Sequence, residues 1–181
     1  MYKPFIKKLK NNLIYFSAFA LLMPAVNAEK FDVDQEIKIS SSRQAADLKN
    51  KIFSYIDNVI ISQGSLTINA ELVQVITQDK SNNKIYIAKG SPATFEQTLQ
   101  DGSPINLQAN EIRYEPDLNT VVISGNALLR QEGSEVSGSK ITYNFETEYV
   151  NAESLENAKV ETVLQPKNKT EPPKKPKDKQ E

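Results

Sequence analysis

The sequence predicts an all-β protein, a flattened antiparallel roll with two sheets around an apolar interior. Two observations indicate this fold: apolar and polar residues alternate along most of residues 31–164, and one strand-turn-strand unit occurs twice. A third observation is the scarcity of helix signals, since the only helix candidate, Ser42 to Leu48, has no clear C-cap. Proline residues fall between the alternating runs, as expected for turns.

The first 28 residues have the features of an export signal. A lysine-rich start precedes a largely apolar run from Leu13 to Met23, and Pro24 ends it. The segment Val26-Asn27-Ala28 then supplies the small residues that precede a cleavage site, so we expect cleavage after Ala28. As a helix, the apolar run spans about 16 Å against about 30 Å of bilayer hydrocarbon, which disfavours a membrane span. An uncleaved N-terminal anchor is the alternative.

After the signal, the alternation of residue types predicts a series of short strands. The first begins at Phe31, and its outward-facing residues include Lys38. Turn-forming residues follow at Asp57-Asn58, Gln63-Gly64, 90–92, Asp101-Gly102 and 116–119. The inward-facing residues that the alternation predicts are Val33, Ile37, Ile39, Phe53, Tyr55, Val59, Ile61, Leu66, Ile68, Val73, Val75, Phe95, Tyr114, Val121, Ile123, Leu129, Val136, Ile141 and Tyr143.

One long stretch occurs twice without a gap, at a spacing of 68 positions. The first copy, NVIISQGSLTINAELVQV, runs from Asn58 to Val75, and the second, NALLRQEGSEVSGSKITY, runs from Asn126 to Tyr143. Aliphatic residues coincide through both copies, and so do Gln63 and Gln131 before the turn. A duplicated strand-turn-strand unit indicates repeated β structure that shares one continuous interior.

A shorter pattern recurs four times, at Ile39, Ile68, Leu107 and Val136. Each copy begins with an aliphatic residue, and the last three have a small residue two positions later and an aliphatic residue five positions later. The first copy departs from this rule, with Ser41 and Gln44 at those positions. We interpret each copy as one corner of the roll, where the small residue (Ala70, Ala109 or Gly138) lets the backbone turn.

The composition restricts the chemistry that this chain can perform. There is no Cys or His, which excludes thiolate and imidazole zinc sites and nucleophile pairs that need those residues. Of the 22 basic residues, four lysines lie in the first ten positions and six follow Gln165, so the body is acidic and ill suited to nucleic acid. The Lys- and Pro-rich segment 165–181 is predicted to be disordered.

No arrangement of residues points to catalysis. Ser139 and Lys140 are adjacent, but neighbouring strand residues point to opposite faces and cannot form a dyad. The carboxylates occupy outward positions without the spacing of a calcium loop. We therefore expect no enzymatic activity, no cofactor and no metal site, and a role in binding or structure.

The apolar interior admits two interpretations. It is either the closed core of a structural protein or a slot, open between the sheets, that takes acyl chains. Each buried CH₂ contributes about 0.8 kcal/mol, so a chain of about twelve carbons gains roughly 10 kcal/mol before entropic costs. A roll that does not close also leaves unpaired terminal strands, which can pair head to tail with the next molecule.

The order of motifs makes the chain similar to a known family. The motifs are D-x-D-Q-x-I-x-I at Asp32–Ile39, NVIISQGSLTINAE at Asn58–Glu71, GSPATF at Gly90–Phe95, SGNALLRQ at Ser124–Gln131 and GSKITY at Gly138–Tyr143. Over residues 29–164, the chain resembles the LptA (OstA) family, the periplasmic bridge of lipopolysaccharide transport. The resemblance implies an open, twisted β-jellyroll of about sixteen short strands with an apolar groove.

The resemblance also implies a function and a set of partners. The lipid A acyl chains of lipopolysaccharide would slide through the groove with the sugars outside, from the inner to the outer membrane. Copies would join head to tail, with LptC at the N-terminal edge and LptD at the C-terminal edge, peripheral to both membranes. The alternatives are a structural periplasmic β-filament protein with a closed core and an anchored relative that resembles LptC.

The resemblance places the family's groove-lining positions on five residues that the alternation also directs inward: Val33, Ile37, Ile39, Phe95 and Tyr114. Phe53, Tyr55, Ile61 and Ile123 complete the set of nine residues that we predict to line the lipid groove. The predicted organisation is a cleaved signal at 1–28, a lipopolysaccharide-binding jellyroll at 29–164 and a tail at 165–181.

Overall fold

The computed structural model describes residues 32–78, 80–155 and 158–165. The predicted export signal, its cleavage after Ala28 and nearly all of the tail lie outside these ranges. Within them, no helix has the length and apolar character needed to cross a membrane.

The described residues form ten β-strands and two short 3₁₀ helices. The strands are β1 (Lys38–Ser40), β2 (Arg43–Asp47), β3 (Ile52–Gln63), β4 (Leu66–Thr77), β5 (Lys84–Thr98), β6 (Pro104–Glu115), β7 (Thr120–Gln131), β8 (Ser134–Asn144), β9 (Tyr149–Glu153) and β10 (Glu161–Val163). The 3₁₀ helices are Asp32–Asp34 and Pro116–Leu118.

The all-β, antiparallel prediction is confirmed, but all ten strands belong to one sheet, and the two predicted sheets are two layers of it. The strands β3 to β8 follow one another as hairpins, while β1 and β2 both pair with β3 and β9 and β10 both pair with β8. Among the described strands, β1 and β10 lie at opposite ends of the hydrogen-bonding order and do not pair with each other. The sheet is therefore open.

Each of the six long strands bends near its middle, where the pairing register shifts. A bulge of this kind bends a strand, so every long strand gives one straight segment to each of two facing layers. Counted as straight segments, the six bent strands and the four short ones make sixteen. The predicted turns at Asp57-Asn58 and 90–92 are such bends inside β3 and β5, not breaks between strands.

Small residues occupy the bends, as the short recurring pattern predicts. Ala70 and Ala109 lie at the register shifts of β4 and β6, and a Cβ atom added to Gly138 in β8 would lie 2.9 Å from the Glu153 carbonyl oxygen. The starting residues of the four copies all belong to one row across the sheet, because Ile39 pairs with Ile61, Ile61 with Ile68, and the row continues to Val136.

The long repeat is confirmed as a structural repeat. A shift of 68 residues carries β3, Ile52–Gln63, onto β7, Thr120–Gln131, with identical bounds, and carries the start of β4 onto the start of β8. The bend matches too, since Asp57-Asn58 in β3 and Gly125-Asn126 in β7 all have positive φ angles. Asn, Asp and Gly tolerate this left-handed backbone conformation best.

Two local predictions are wrong. The helix candidate Ser42 to Leu48 is strand β2, because its residues Arg43–Asp47 pair along Ile52–Ile56 of β3. A helix of this length has little stability of its own, so a neighbouring strand edge decides its structure. The strand predicted from Phe31 is instead a 3₁₀ turn at Asp32–Asp34, and β1 begins only at Lys38.

Candidate functional site

Three rows of inward side chains cross the sheet and form much of its apolar interior. The first row, in one layer, contains Phe53, Val75, Tyr86, Tyr114, Val121 and Tyr143. The second, in the same layer, contains Tyr55, Val73, Ala88, Ile112, Ile123 and Ile141. The third, in the facing layer, contains Ile39, Ile61, Ile68, Phe95, Leu107, Leu129 and Val136.

The centre of the interior is packed by the protein's own side chains. Phe95 of one layer is fully buried and lies 5.8 Å, centre to centre, from the ring of Tyr114 in the other layer. The same Phe95 ring stacks on Phe145 at 5.5 Å, and Phe145 meets Tyr143 edge to face at 4.9 Å. These aromatic contacts hold the two layers together at mid-length.

The rows become exposed towards both edges of the open sheet. At the N-terminal edge, Ile39 and Tyr55 are half-buried and the side chain of Phe53 is 41% exposed, although Phe53 continues a row that is buried at Tyr86 and Tyr114. At the C-terminal edge, Val150 extends the first row beyond Tyr143 and is also exposed. The apolar interior thus reaches solvent at both edges.

A cavity of about 720 Å³ opens along one side of the roll, between the turns of the two layers. Leu99, Tyr114 and Phe145 give it an apolar floor. Its acidic lining residues are Asp32, Asp34, Glu146 and Glu148, and none of the described residues that line it is basic. Acidic residues in the described ranges do not gather in threes that could hold a metal ion. We call this opening the side mouth.

A larger cavity, of about 890 Å³, lies elsewhere. Its lining includes Gln108, Leu128 and Ser137, which alternate with the inward residues of β6, β7 and β8 and so belong to the outer face. It is separate from the apolar interior, and the side mouth is the cavity that leads to the aromatic centre.

A chain of hydrogen bonds connects the side mouth to the aromatic centre. Gln63 is only 2% exposed; its Oε1 accepts a hydrogen bond from the Tyr114 hydroxyl at 3.1 Å, and its Nε2 donates to the Gln35 carbonyl oxygen at 3.1 Å. Burial raises the pKa of Tyr114 above its ordinary value, and the nearby charge of Asp32 adds to the rise. Tyr114 therefore stays neutral and available as a donor.

The structure divides the nine predicted groove residues into groups. Ile61, Phe95, Tyr114 and Ile123 lie in the packed centre. Ile37, Ile39 and Tyr55 are half-buried near the N-terminal edge, where Phe53 is exposed. The side chain of Val33 lies outside the described part of the chain. Their contact with lipid stays a prediction.

Two aromatic residues of the site escape the prediction from alternation. Tyr86 is buried, but it lies between Ile85 and Ile87, and alternation of these two isoleucines predicts that Tyr86 faces outward. Phe145 follows β8 directly and belongs to no strand, so alternation gives it no direction. Tyr86 pairs with Tyr114 across β5 and β6, and their rings lie 6.0 Å apart. Knowledge of this strand pairing would have identified Tyr86 as an inward residue, because alternation predicts that Tyr114 faces inward.

Comparisons with known proteins agree with this architecture. A family model described as "LptA/(LptD N-terminal domain) LPS transport protein" matches residues 38–149. The lipopolysaccharide export system protein LptA of Haemophilus influenzae is 35% identical over 164 residues, covering 89% of this chain and 95% of that protein. The protein of the same name from Escherichia coli K12 is 36% identical over 160 residues, covering 88% and 86%.

A solved structure has the same fold. The crystal structure of LptH, described as the LptA-homologous periplasmic component of the conserved lipopolysaccharide transport device of Pseudomonas aeruginosa, superposes with a TM-score of 0.68. The two sequences are 27% identical, and the match covers 75% of this chain and 99% of the other.

Proposed function

Because this chain belongs to the family of LptA and the N-terminal domain of LptD, we propose that it carries lipopolysaccharide across the periplasm and holds the lipid A acyl chains in its interior. The protein acts as a carrier and not as an enzyme. The observation that supports this role best is the continuity of the apolar rows, which run from one exposed edge of the sheet to the other.

The energetics of acyl burial are sufficient for a carrier. A bound chain gains about 0.8 kcal/mol for each CH₂ that leaves water. To admit it, the contacts between Phe95 and the rings of Tyr114 and Phe145 separate, and the acyl chain takes their place between the layers. The packed centre keeps the interior dry while no lipid is bound. Each aromatic contact stabilises the closed state by only about 0.5–1.5 kcal/mol beyond area burial, so a bound acyl chain can replace it.

The open edges support the bridge part of the proposal. The strands β1 and β10 each pair on one side, and exposed apolar residues accompany both edges, such as Phe53 at one and Val163 at the other. Edge strands of this kind join another strand through backbone hydrogen bonds. We propose that copies join head to tail, with LptC at the N-terminal edge and LptD at the C-terminal edge.

Two neighbouring positions on β1 test the lipid-binding interior. A photo-crosslinking amino acid at Ile39, which faces the interior, should capture lipopolysaccharide. The matched position is Lys38, which is exposed on the opposite face and should capture little. Crosslinks would be detected on gels with an antibody to lipopolysaccharide.

The same experiment distinguishes the alternative function. The stacking of Phe95 on Phe145 is what a structural filament protein with a closed core would also show. Such a protein would give no lipid crosslink at Ile39, or equal and weak crosslinks at Ile39 and Lys38. Either result would exclude the interior as a lipid path.

A further inference from the structure

The segment Asp32–Gln35 lies beside the side mouth, where Asp32 and Asp34 belong to its lining, and the side chain of Asp32 fixes it there. Asp32 Oδ1 accepts a hydrogen bond from the backbone N–H of Ser65 at 2.8 Å. Its Oδ2 accepts hydrogen bonds from Gln97 Nε2 at 2.9 Å and from the Ser65 hydroxyl. Ser65 belongs to the β3–β4 turn and Gln97 to β5, so one carboxylate ties the segment to two neighbouring hairpins. We call Asp32–Gln35 the strap.

The β3–β4 turn is shaped to receive this carboxylate. Gly64 has a φ of +59°, and a Cβ atom at this position would overlap Asp32 Oδ1. Any other residue at position 64 would therefore push the strap away from its seat.

The strap is also connected to the packed centre. The Gln35 carbonyl oxygen at its end accepts a hydrogen bond from Gln63, and Gln63 accepts one from the Tyr114 hydroxyl. The Tyr114 ring meets Phe95 of the facing layer at 5.8 Å. The strap is thus linked through Gln63 to Tyr114, a residue that must move if the two layers separate.

Release of the strap does not require the sheet to break. Strand pairing begins only at Lys38, and the ties of the strap described above are made by side chains of the hairpins or of Asp32. These ties are a few side-chain hydrogen bonds, most of them to one carboxylate, so the burial of a bound lipid can offset their loss. Segments with few ladder bonds are the ones that open locally while the rest stays folded.

From this geometry we infer that the strap is a lid over the side mouth, latched by Asp32, and that it must detach before an acyl chain enters between the layers. This inference rests on the proposed lipid-binding function. The strap covers one part of the side mouth in the empty protein, and its detachment removes a hydrogen bond from Gln63, the partner of Tyr114. Asp32 is a positioning residue in this scheme and need not touch the lipid.

A reversible lock tests the lid. The sequence has no cysteine, so the double variant Asp32→Cys/Ser65→Cys can form only one intramolecular disulfide. The two native side chains are in direct contact, which places the new sulfur atoms within reach of each other. In stopped-flow binding of fluorescently labelled lipopolysaccharide to the full chain, the oxidised variant should fail to capture lipid, and reduction should restore capture.

The outcomes separate the two proposals. Equal capture by the oxidised and reduced forms, with normal capture by the wild-type protein, would overturn the lid and leave the lipid-binding function standing. Failure of the wild-type protein to capture lipid would overturn the function on which the lid rests.

A second variant tests the lid without a disulfide. Gly64→Ala should displace Asp32 and speed lipid capture several-fold relative to the wild-type protein. Gly133→Ala is the matched control, because Gly133 also has a positive φ, of +78°, and the added Cβ would meet only the flexible side chain of Gln165, at 3.1 Å. Equal capture rates for Gly64→Ala and Gly133→Ala would contradict the lid.

Discussion

Tyr114 and Tyr143 lie in the same interior row and are equally buried, yet their hydroxyl groups have different surroundings. The Tyr114 hydroxyl donates to Gln63 Oε1, whereas the buried Tyr143 hydroxyl has no hydrogen-bond partner among the residues that the structure describes. A buried polar group without a partner costs about 1–3 kcal/mol, whereas a satisfied one contributes a modest net stabilisation. Two residues of the same type therefore make opposite contributions.

Removal of each hydroxyl should reveal this difference. We expect Tyr114→Phe to lower the free energy of unfolding by about 1–2 kcal/mol, because Gln63 Oε1 loses its donor. Tyr143→Phe removes only an unpartnered group and should leave stability unchanged or raise it. Urea denaturation of both variants would measure the effect, and equal losses in the two would contradict the assignment.

The buried tyrosines also predict an alkaline limit to stability. Burial raises the pKa of Tyr86, Tyr114 and Tyr143 above the ordinary value. In that direction of shift, the unfolded chain releases its tyrosine protons at lower pH than the folded protein does. The stability from these groups is complete below about pH 10 and decreases as the pH rises above it.

This pH dependence can be assigned to one residue. The free energy of unfolding should fall as the pH rises above about 10, and the fall should be less steep in Tyr114→Phe than in the wild-type protein. The comparison uses the slope against pH, so it is independent of the constant loss of the Tyr114 hydrogen bond. An identical slope in the two proteins would show that Tyr114 does not contribute.

At the scale of elements, the bends in the long strands depend on small residues. Ala93 and Ala109 face each other across β5 and β6 at the bend, and both are fully buried. The short recurring pattern locates Ala109 but not Ala93. The copies at the bends of β4, β6 and β8 all lie on strands that run in the same direction, whereas β5 runs antiparallel to them. The bend of β5 also contains the extra residues 90–92, which shift its spacing away from the pattern.

A larger side chain at a bend should destabilise the protein. Ala109→Val inserts two methyl groups into a filled corner, and we expect the free energy of unfolding to fall by about 1–3 kcal/mol. Ala45→Val, on the exposed strand β2, makes the same chemical change and should stay within about 0.5 kcal/mol of the wild-type value. Thermal or urea unfolding compares the two, and a harmless Ala109→Val would show that the corner has spare space.

Local sequence predicts the strands that carry their own signal and fails for those that depend on a distant partner. Alternation and the repeat predict the hairpins from β3 to β8 because each of their strands has one buried and one solvated face. Residues Arg43–Asp47 are exposed throughout, so only the edge of β3 makes them a strand. The turn at Asp32–Asp34 likewise depends on Ser65, which lies 33 residues away in the chain.

At the scale of the whole molecule, the sequence predicts which residues face inward but not the distance between the layers. Ile61, Phe95 and Tyr114 face the interior as alternation predicts. Whether the interior is a slot or a packed core depends on Phe145, which follows β8 and yet fills the space beside Phe95 of β5. No periodic pattern of residue types in the sequence predicts such a contact between distant hairpins.

The open edges predict a concentration-dependent assembly. Deletion of residues 160–164 removes β10 and the apolar residues Val160 and Val163, so the shortened protein should remain monomeric where the wild-type protein forms oligomers. Leu118→Ser is the control, because Leu118 is exposed in the 3₁₀ helix away from the edge strands. Sedimentation velocity over a range of concentrations would measure both, and oligomers of the shortened protein would refute the role of this edge.

The duplicated hairpin also gives the fold a fixed unit of length. One repeat of 68 residues advances the structure by four strands, from β3 to β7, with the bend in the same place. Neighbouring strands are about 4.8 Å apart, so each additional repeat would lengthen the protein by about 19 Å without a change in its cross-section. Gene duplication in whole hairpin pairs is thus a way to adjust the span of a single chain in fixed increments.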